Sequence, residues 1–410
     1  MATPANPMVI GALLLFQQRL TLEALEAMVR GQILPHRRFR QHVVESTHWF
    51  GRPRWCDDAA FDLRAHVQKL NPSPSVDAAA LGQLAGQRMS APLSSERSPW
   101  CLELVDLSSG GSALLVRIHH CIADGQALVQ LLRTLAAPDQ PGDAGKKNAQ
   151  APVSSKFTRG SSFFRRLASL FQFLFLPGDA AGLFHQSPSG RKRVAWSAPI
   201  SLDTIKSIAS ASGYSFVDVL LAGVAGALER YTRQRNQAPR CLRALLPVAL
   251  PATDGRPGLG NHFASVFVRL PVASDHPQAR LAAIARQLAT LRNGGALRVA
   301  IGLVRLAGAI APAIEHWAVR WWSRRSSLVV SSLPGPDVPL RVAGQPLGSL
   351  IVWAPAPASI GVSLTFFGYA GDLRLGVLAD EAVIDRADDL VTAFQDALAE
   401  IGRGAVAVSS

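Results

Sequence analysis

Two adjacent histidines, followed by an aspartate and a glycine, are the residues of this chain best suited to chemistry. They form the segment His119-His120-x-x-x-Asp124-Gly125, at a point where an apolar run ends. A neutral imidazole near pH 7 can take the proton of a hydroxyl group while that group attacks a carbonyl carbon. Transfer of an acyl group to an alcohol requires a base of this kind. The segment therefore predicts an acyl transfer site.

The remaining residues of the segment have supporting roles. His119 and His120 point to opposite faces if the strand continues through them, so only one can face a substrate and the other is structural. Asp124 either orients the loop, for example by pairing with an arginine, or caps the helix that follows. Gly125 can provide backbone freedom or room for a substrate to approach closely.

Thiol and metal chemistry are weaker interpretations of the same segment. Cys121 lies beside His120, but adjacent strand residues point apart, which favours a buried small side chain over a nucleophile. The paired histidines lack the i, i+4 spacing of a helical zinc motif. The chain has 4 cysteines, widely spaced, which indicate neither a disulfide framework nor a structural metal and fit a reducing compartment. We predict no metal and no permanently bound cofactor.

The elements on either side of the segment must hold it in place. Residues 100–106 and 113–118 have the patterns of two strands joined by a turn, and a helix is predicted from about residue 126 to 136. Strands and helices are predicted in both halves of the chain, which favours an α/β architecture. The other predicted strands are 8–16, 243–248, 264–270, 328–332, 360–367 and 373–379, and the other main helices are 20–30, 78–87, 216–231 and 281–291.

Length predicts two or three domains, and the strands and helices in both halves favour two of comparable size. A chain of 410 residues is too long for one ordinary core. Residues 138–155 are rich in Pro, Gly, Asp, Lys and Ser and form the best linker candidate. We therefore predict an N-terminal domain at residues 1–145 with the histidine motif, a basic and Phe-rich crossover at 146–195, and a C-terminal domain at 196–410.

The charge of the chain indicates anionic partners. A net charge of +13 and an isoelectric point of about 10.5 suit phosphorylated ligands or acidic lipid. Neither a zinc-finger spacing nor an RNP-type motif is evident, so we predict no nucleic-acid partner. No signal peptide is evident, and the apolar run 8–16 is shorter than the roughly 20 residues that span a bilayer. We expect a cytoplasmic protein, at most peripheral on the inner membrane or on lipid inclusions.

Two basic and aromatic stretches bear on contact with a membrane. Residues 156–193 carry lysines and arginines around several phenylalanines, and residues 301–325 place tryptophans beside arginines. Such segments can lie in the plane of a membrane interface. Packing against the second domain, with solvated arginines, explains them as well, and the sequence leaves both interpretations open.

The chain as a whole resembles the bacterial wax ester synthase/diacylglycerol acyltransferase family. That family belongs to the HHxxxDG superfamily, with chloramphenicol acetyltransferase and the condensation domains. The resemblance rests on the histidine motif and on short segments that follow in the family's order over nearly the whole chain. These segments are Asn6-Pro7-Met8-Val9-Ile10-Gly11, Phe61-Asp62-Leu63-x-x-His66-Val67, Pro92-Leu93, Trp100, Arg193-Val194-Ala195-Trp196-Ser197, Asp218-Val219-Leu220-Leu221-Ala222, Pro247-Val248, Gly260-Asn261, Leu270-Pro271, Pro334-Gly335-Pro336, Pro339-Leu340-x-x-Ala343-Gly344 and Tyr369-x-Gly371.

The resemblance implies a fold, a reaction and a role for each motif residue. Two chloramphenicol acetyltransferase-like domains, with mixed sheets flanked by helices, would enclose an active-site tunnel at their interface. Acyl-CoA would enter as co-substrate from one side and a fatty alcohol or diacylglycerol from the other, to form wax ester or triacylglycerol. His120 would deprotonate the acceptor hydroxyl, which would attack the thioester directly without an acyl-enzyme. Asp124 would be structural.

Other parts of the site are predicted by residue type alone. Asn261, Ser331, Ser332 and Thr365 can donate hydrogen bonds to a thioester oxygen that gains negative charge. The alternatives are a turn residue for Asn261 and strand-end hydrogen bonding for the two serines. Residues 191–193 (Arg-Lys-Arg) can meet the phosphates of coenzyme A or form a solvated face. The sequence assigns no cofactor-binding residue.

The chain departs from the family pattern at two positions where an asparagine is usual. These positions are Val217 and Ser332, and the first removes an amide that could bond in or near the site. The departures motivate two alternatives. One is an acyltransferase of the same fold with another hydroxyl acceptor, and the other is a degenerate lipid-binding protein without turnover.

Overall fold

The computed structural model describes residues 3–46, 48, 51–70, 76–135, 137–138, 182–237, 241–249, 263–274, 276–293, 319–321 and 323–409. The candidate Asn261 and most of the two basic, aromatic stretches lie outside the described residues. So does the predicted linker 138–155, apart from its first residue.

The histidine motif follows a strand in the middle of a seven-stranded mixed sheet. Because long apolar runs supply β1 (Val9–Phe16) and β6 (Ser112–His119), both become buried central strands. The predicted hairpin of residues 100–118 is confirmed as the antiparallel pair β5–β6. The sheet consists, in spatial order, of β4 (Val67–Leu70), β5 (Trp100–Asp106), β6 (Ser112–His119), β1 (Val9–Phe16), β14 (Gln345–Trp353), β13 (Leu340–Val342) and β7 (Ala137–Pro138).

A second mixed sheet is built from the second half of the chain. In this sheet, β12 (Leu328–Pro334) pairs in parallel with β10 (Leu242–Ala249) and with β15 (Val362–Tyr369), and the other strand pairs are antiparallel. A short ribbon of β2 (Gln41–Val44) and β3 (Arg54–Asp57) stands apart from both sheets. The second sheet runs β11 (Phe263–Leu270), β10 (Leu242–Ala249), β12 (Leu328–Pro334), β15 (Val362–Tyr369), β16 (Asp372–Asp380) and β8 (Lys192–Trp196), with β9 (Ile200–Ser201) also paired to β16.

Helices flank the two sheets, and their ends follow from local sequence. Ser215 and Asp218 form a capping box at the start of α5 (Phe216–Arg233), which explains why this long helix begins after Ser215. The described α-helices are α1 (Leu22–Met28), α2 (Ala78–Ser90), α3 (Gly125–Leu135), α4 (Leu202–Ser212), α5 (Phe216–Arg233), α6 (Pro277–Asn293) and α7 (Ala387–Ser409).

The part built on the first sheet is called the N-terminal lobe, and the part built on the second sheet the C-terminal lobe. Each has its own apolar core. The sheets depart from the predicted domains at two places. β13 and β14 lie in the first sheet, although residues 196–410 were predicted to form the C-terminal domain. β8 likewise lies in the second sheet, although its residues fall mostly in the predicted crossover. Since strand pairing alone does not set domain limits, the boundaries at 145 and 195 stay predictions.

Within the described ranges, no single helix has both the length and the apolar character needed to cross a bilayer. The consecutive helices α4 and α5, bent by 98° relative to each other, satisfy that test only as a pair.

Candidate active site

The backbone of the histidine motif is fixed by the strands around it. The His119 N–H donates to the Pro99 carbonyl at 2.9 Å, and the His120 N–H donates to the Met8 carbonyl at 2.8 Å. Met8 itself has a positive φ of 56°, which a non-glycine residue adopts rarely and only where its surroundings impose it. The segment before β1 thus has a rare backbone conformation at the residue that holds the His120 N–H.

His119 is turned into its own loop. Its Nδ1 accepts a hydrogen bond from the Cys121 N–H at 3.1 Å. Burial, followed by the adjacent His120, lowers the pKa of His119, while a hydrogen bond with the Pro7 backbone opposes this. The ring is therefore neutral at pH 7 and is occupied in holding the loop.

His120 borders a cavity of about 200 Å³ between the two lobes. The N-terminal lobe lines it with Met8, Ile10 and the start of α3. The C-terminal lobe supplies residues of β10, β11 and β12, among them Phe263, whose ring centroid lies 5.4 Å from that of His120. A substrate in this cavity would touch the imidazole, while most of its surface would meet apolar side chains.

Three serines on strands of the C-terminal lobe line the same cavity. Ser331 and Ser332 on β12 and Ser265 on β11 all line it. Ser331 is buried at 5% exposure. Thr365 is placed differently, because its hydroxyl accepts a hydrogen bond from the Ala354 N–H at 2.9 Å and the residue is not among those lining the cavity. Of the predicted oxyanion donors, the structure thus brings Ser331 and Ser332 to the site.

Asp124 is buried at the start of α3. Its Oδ1 accepts a hydrogen bond from the Ala127 N–H at 2.9 Å, which is the geometry of a helix cap. This contact agrees with the capping alternative that the sequence left open.

Gly125 follows Asp124 and lies against Leu333 of the second sheet. A Cβ at that position would lie only 2.8 Å from a methyl carbon of Leu333 on β12. The glycine therefore lets the histidine-motif loop and the second sheet approach each other closely.

Cys121 has no feature of a nucleophile. Burial raises the pKa of its thiol to about 11, so the group stays protonated near neutral pH. A thiolate is the reactive form, so Cys121 is poorly suited to attack a substrate near neutral pH.

Lys192 is not available to bind phosphates, so that part of the prediction for residues 191–193 is wrong. Its ammonium group donates to Asn6 Oδ1 at 2.6 Å and pairs with Asp380 Oδ2 at 3.1 Å. The two charged side chains are only 5% and 0% exposed. Asn6 in turn donates to the Ala358 and Ile360 carbonyls. These three side chains, Asn6, Lys192 and Asp380, are called the interlobe clamp.

The flanking arginines do reach the surface. Arg191 and Arg193 pair with Glu381 at 3.3 and 3.4 Å. Both line a groove between α2 and β8, so a role in binding anions remains a prediction for these two residues.

The departure at Val217 lies away from the reacting groups. Val217 is in the first turn of α5, where it packs against the core of the C-terminal lobe. It is not among the residues that line the His120 cavity.

Several residues near the site were not singled out by the sequence. Met8 and Asn6 were seen only as part of a resemblance, and nothing in their types indicates a left-handed backbone or a buried clamp. His66 lies between the rings of Phe61 and Trp100, at centroid distances of 4.9 and 4.6 Å. Its Nδ1 bonds the Trp100 carbonyl at 2.8 Å, which ties the start of β5 to the segment that leads into β4.

Solved structures define the class of fold. The chain matches the wax ester synthase/diacylglycerol acyltransferase from Marinobacter aquaeolei with a TM-score of 0.70 and 20% identity, over 99% of this chain and 97% of that one. It matches a variant of the starter condensation domain of rhizomide synthetase, solved with C8-CoA and Leu-SNAC, with a TM-score of 0.61 and 15% identity, over 99% and 90% of the two chains. The fold is therefore the one predicted, chloramphenicol acetyltransferase-like with mixed sheets.

Sequence comparison defines the family. Residues 1–254 match the wax ester synthase/diacylglycerol acyltransferase catalytic domain, and residues 259–402 match the WS/DGAT C-terminal domain. The Mycobacterium tuberculosis protein named "Probable diacyglycerol O-acyltransferase tgs1" is 25% identical over 406 residues, which cover 92% of this chain and 88% of that protein. The chain belongs to the wax ester synthase/diacylglycerol acyltransferase family and is an acyltransferase, as the motif and the resemblance predicted.

Proposed function

We propose that the protein transfers a long-chain acyl group from acyl-CoA to the hydroxyl of a fatty alcohol or diacylglycerol, with His120 as general base. One observation carries the proposal. His120 borders a mainly apolar cavity between the lobes, whereas the adjacent His119 is engaged within its own loop. The printed names of the relatives, which include wax ester synthase and diacylglycerol acyltransferase, support the choice of acceptors.

The reaction needs one proton shuttle and no covalent enzyme intermediate. His120 takes the proton of the acceptor hydroxyl as its oxygen attacks the thioester carbonyl carbon. The tetrahedral intermediate then breaks its C–S bond, and the thiolate of coenzyme A leaves. The imidazolium of His120 returns the proton to that thiolate, so the products are an ester and free CoA-SH.

Negative charge develops on the carbonyl oxygen during the attack. Ser331, which is buried, and Ser332, which is exposed, line the cavity from β12, and a hydroxyl of this strand can donate a hydrogen bond to that oxygen. Donors that are fixed before the reaction and shielded from water stabilise such charge strongly. The apolar remainder of the cavity also limits access of water, which would otherwise hydrolyse the thioester.

Release of free thiol tests the proposal. The purified protein is supplied with palmitoyl-CoA together with hexadecanol or dioleoylglycerol, and the thiol and both esters are quantified. We expect ester formation that falls by about 1,000-fold in His120→Ala. The matched control is His276→Ala, which removes an exposed histidine.

Two outcomes would contradict the proposal. One is no thiol release above that of His120→Ala with any acyl chain length. The other is thiol release with an unrelated hydroxyl acceptor but with neither lipid, which would point to a different acceptor class.

We further propose that the protein works at an anionic membrane or lipid-inclusion surface. The net charge of +13 and the lipid character of the proposed acceptors support this. Co-sedimentation with vesicles of phosphatidylglycerol, compared with phosphatidylcholine vesicles at equal salt, tests it. Equal partition into both kinds of vesicle would speak against charge-driven binding.

A further inference from the structure

A second cavity of about 130 Å³ lies inside the N-terminal lobe. It is bounded by β1 and β6 on one side and by α1 and α3 on the other, with Ala12, Met28, Leu114 and Leu128 among its lining residues. Apolar side chains form nearly all of its wall. Trp100 is the exception, and its indole N–H already donates to the Phe39 carbonyl at 2.9 Å.

The second cavity adjoins the His120 cavity. Four residues line both of them, namely Ile10, Gly125, Leu333 and Val352. Two of the four face each other across the boundary, because a Cβ at Gly125 would lie 2.8 and 3.1 Å from the two methyl carbons of Leu333. The partition between the cavities at this point is therefore one flexible leucine side chain against a bare backbone.

We propose that the second cavity receives the far end of a substrate alkyl chain, and that Leu333 controls its access. This inference rests on the proposed acyl transfer and adds a residue that determines chain length. An apolar wall without a usable donor or acceptor excludes a polar occupant, because such a group would lose its hydrogen bonds to water. An alkyl chain gains instead, by roughly fourfold in binding for each CH₂ that leaves water.

The position of Leu333 explains how a chain would enter. Leucine can change rotamer, while residue 125 contributes no side chain that must move with it. A chain whose reacting end lies beside His120 can then extend past Leu333 towards Leu114 and Leu128. The chain can come from the acyl group or from the alcohol, and the experiment separates these two sources.

Three variants test the proposal. Leu333→Phe narrows the passage, Leu333→Ala widens it, and Ala12→Leu reduces the second cavity from its far side without lining the His120 cavity. Each is assayed with acyl-CoAs from about eight to about eighteen carbons and one fixed alcohol, then with alcohols of that range and one fixed acyl-CoA. The matched control is Leu115→Ala on β6, whose side chain packs on the opposite face of the sheet from Leu114.

We expect a change in the length profile and not only in overall rate. Ala12→Leu should lower kcat/KM about tenfold for the longest chains and leave the shortest nearly unchanged, in one of the two arms. In the same arm, Leu333→Phe should lower the ratio of kcat/KM for the longest chains to that for the shortest about tenfold, whereas Leu333→Ala should raise that ratio. The arm that responds identifies the substrate. Profiles parallel to the parent's in both arms would overturn the proposal and leave the cavity as a packing void.

A binding measurement keeps this proposal separate from the proposed function. His120→Ala, with and without Leu333→Phe, is titrated with cis-parinaric acid and followed by probe fluorescence. Binding weakened about tenfold by Leu333→Phe supports the pocket even if the parent shows no turnover. Equal binding by the two proteins, with turnover by the parent, would remove the pocket and leave the acyl transfer intact.

Discussion

Two polar clusters lie where the lobes meet, and they use their hydrogen-bonding groups in opposite ways. In the interlobe clamp, Asp380 accepts hydrogen bonds from Lys192 and from the backbone N–H groups of Ser189 and Gly190. Asn6 donates both of its amide hydrogens to backbone carbonyl groups. At the His120 cavity, the hydroxyls of Ser331 and Ser332 form no hydrogen bond within the described part of the chain.

The difference distinguishes a polar cluster that is complete within the fold from hydroxyls that remain available to a ligand. Buried polar groups are costly unless they are paired, so a saturated cluster is a completed part of the fold. Serines that line a cavity and form no hydrogen bond in the described part of the chain can instead donate to a bound substrate. Damage to the clamp should therefore appear mainly in stability, and damage to the cavity wall mainly in activity.

The clamp should show the largest effect on stability. Although burial alone would raise the pKa of Asp380, hydrogen bonds from Ser189 and the charge of Lys192 hold that pKa below its usual range. Lys192→Met leaves the carboxylate buried without its cation, and we expect a loss of about 3 kcal/mol in the free energy of unfolding. Chemical denaturation measures this.

Arg191→Met is the control for the clamp, because its ion pair with Glu381 is at the surface. Surface pairs contribute at most about 1 kcal/mol. Equal losses in the free energy of unfolding of the two variants would mean that burial of the clamp has no energetic consequence. The clamp would then not have the structural role that distinguishes it from the cavity serines.

The cavity wall should show a smaller effect, and on catalysis. Ser331→Ala removes a hydroxyl that we propose donates to the reacting carbonyl, and we expect kcat to fall by about 100-fold, or about 2.7 kcal/mol of transition-state stabilisation. The free energy of unfolding should stay within about 0.5 kcal/mol. Steady-state kinetics and denaturation on the same sample check both values.

Ser363→Ala is the control for Ser331→Ala, because Ser363 is fully buried on β15 and does not line the cavity. A fall in kcat of the same size in Ser363→Ala would indicate general disturbance of the sheet. Ser331 would then lose its proposed role as a hydrogen-bond donor to the reacting carbonyl.

His119 should produce a pH effect of intermediate size. Its pKa lies below the ordinary value of 6.5 because the ring is buried, so the unfolded chain binds the proton first as the pH falls. Stability is then lost as the pH drops below about 6.5, at no more than about 1.4 kcal/mol per pH unit for one group.

His119→Asn tests this slope, since its amide oxygen can still accept the Cys121 N–H without titrating. We expect a smaller loss of stability between about pH 6.5 and pH 5 than in the parent. The matched control is the exposed His276→Asn. An unchanged slope in His119→Asn would show that another group governs the acid limb.

The sequence was most informative where the determinants are local. The alternation in residues 100–118, the turn that joins the two strands and the helix after Asp124 depend on neighbouring residues, and all three are confirmed. The motif itself is a contiguous segment, so its position at a strand end could be predicted as well.

Features that depend on distant residues could not be predicted. β14 was not predicted as a strand, and it pairs with β1 across more than three hundred residues of sequence. Lys192 stands between two arginines and looks solvated, but its partner Asp380 lies 188 residues away. Neither feature leaves a mark in local periodicity, because tertiary packing decides both.

The smallest effect is expected at Cys121, on the side of the motif away from the proposed chemistry. With a thiol pKa of about 11, Cys121 should react with iodoacetamide at pH 8 at least tenfold more slowly than the exposed Cys56, as measured by mass spectrometry of the labelled peptides. Cys121→Ala should keep kcat within about twofold, because direct attack by the acceptor needs no thiol. Loss of activity in Cys121→Ala, with an acylated Cys121 trapped in the parent, would replace direct transfer by an acyl-enzyme route and make this residue part of the reaction.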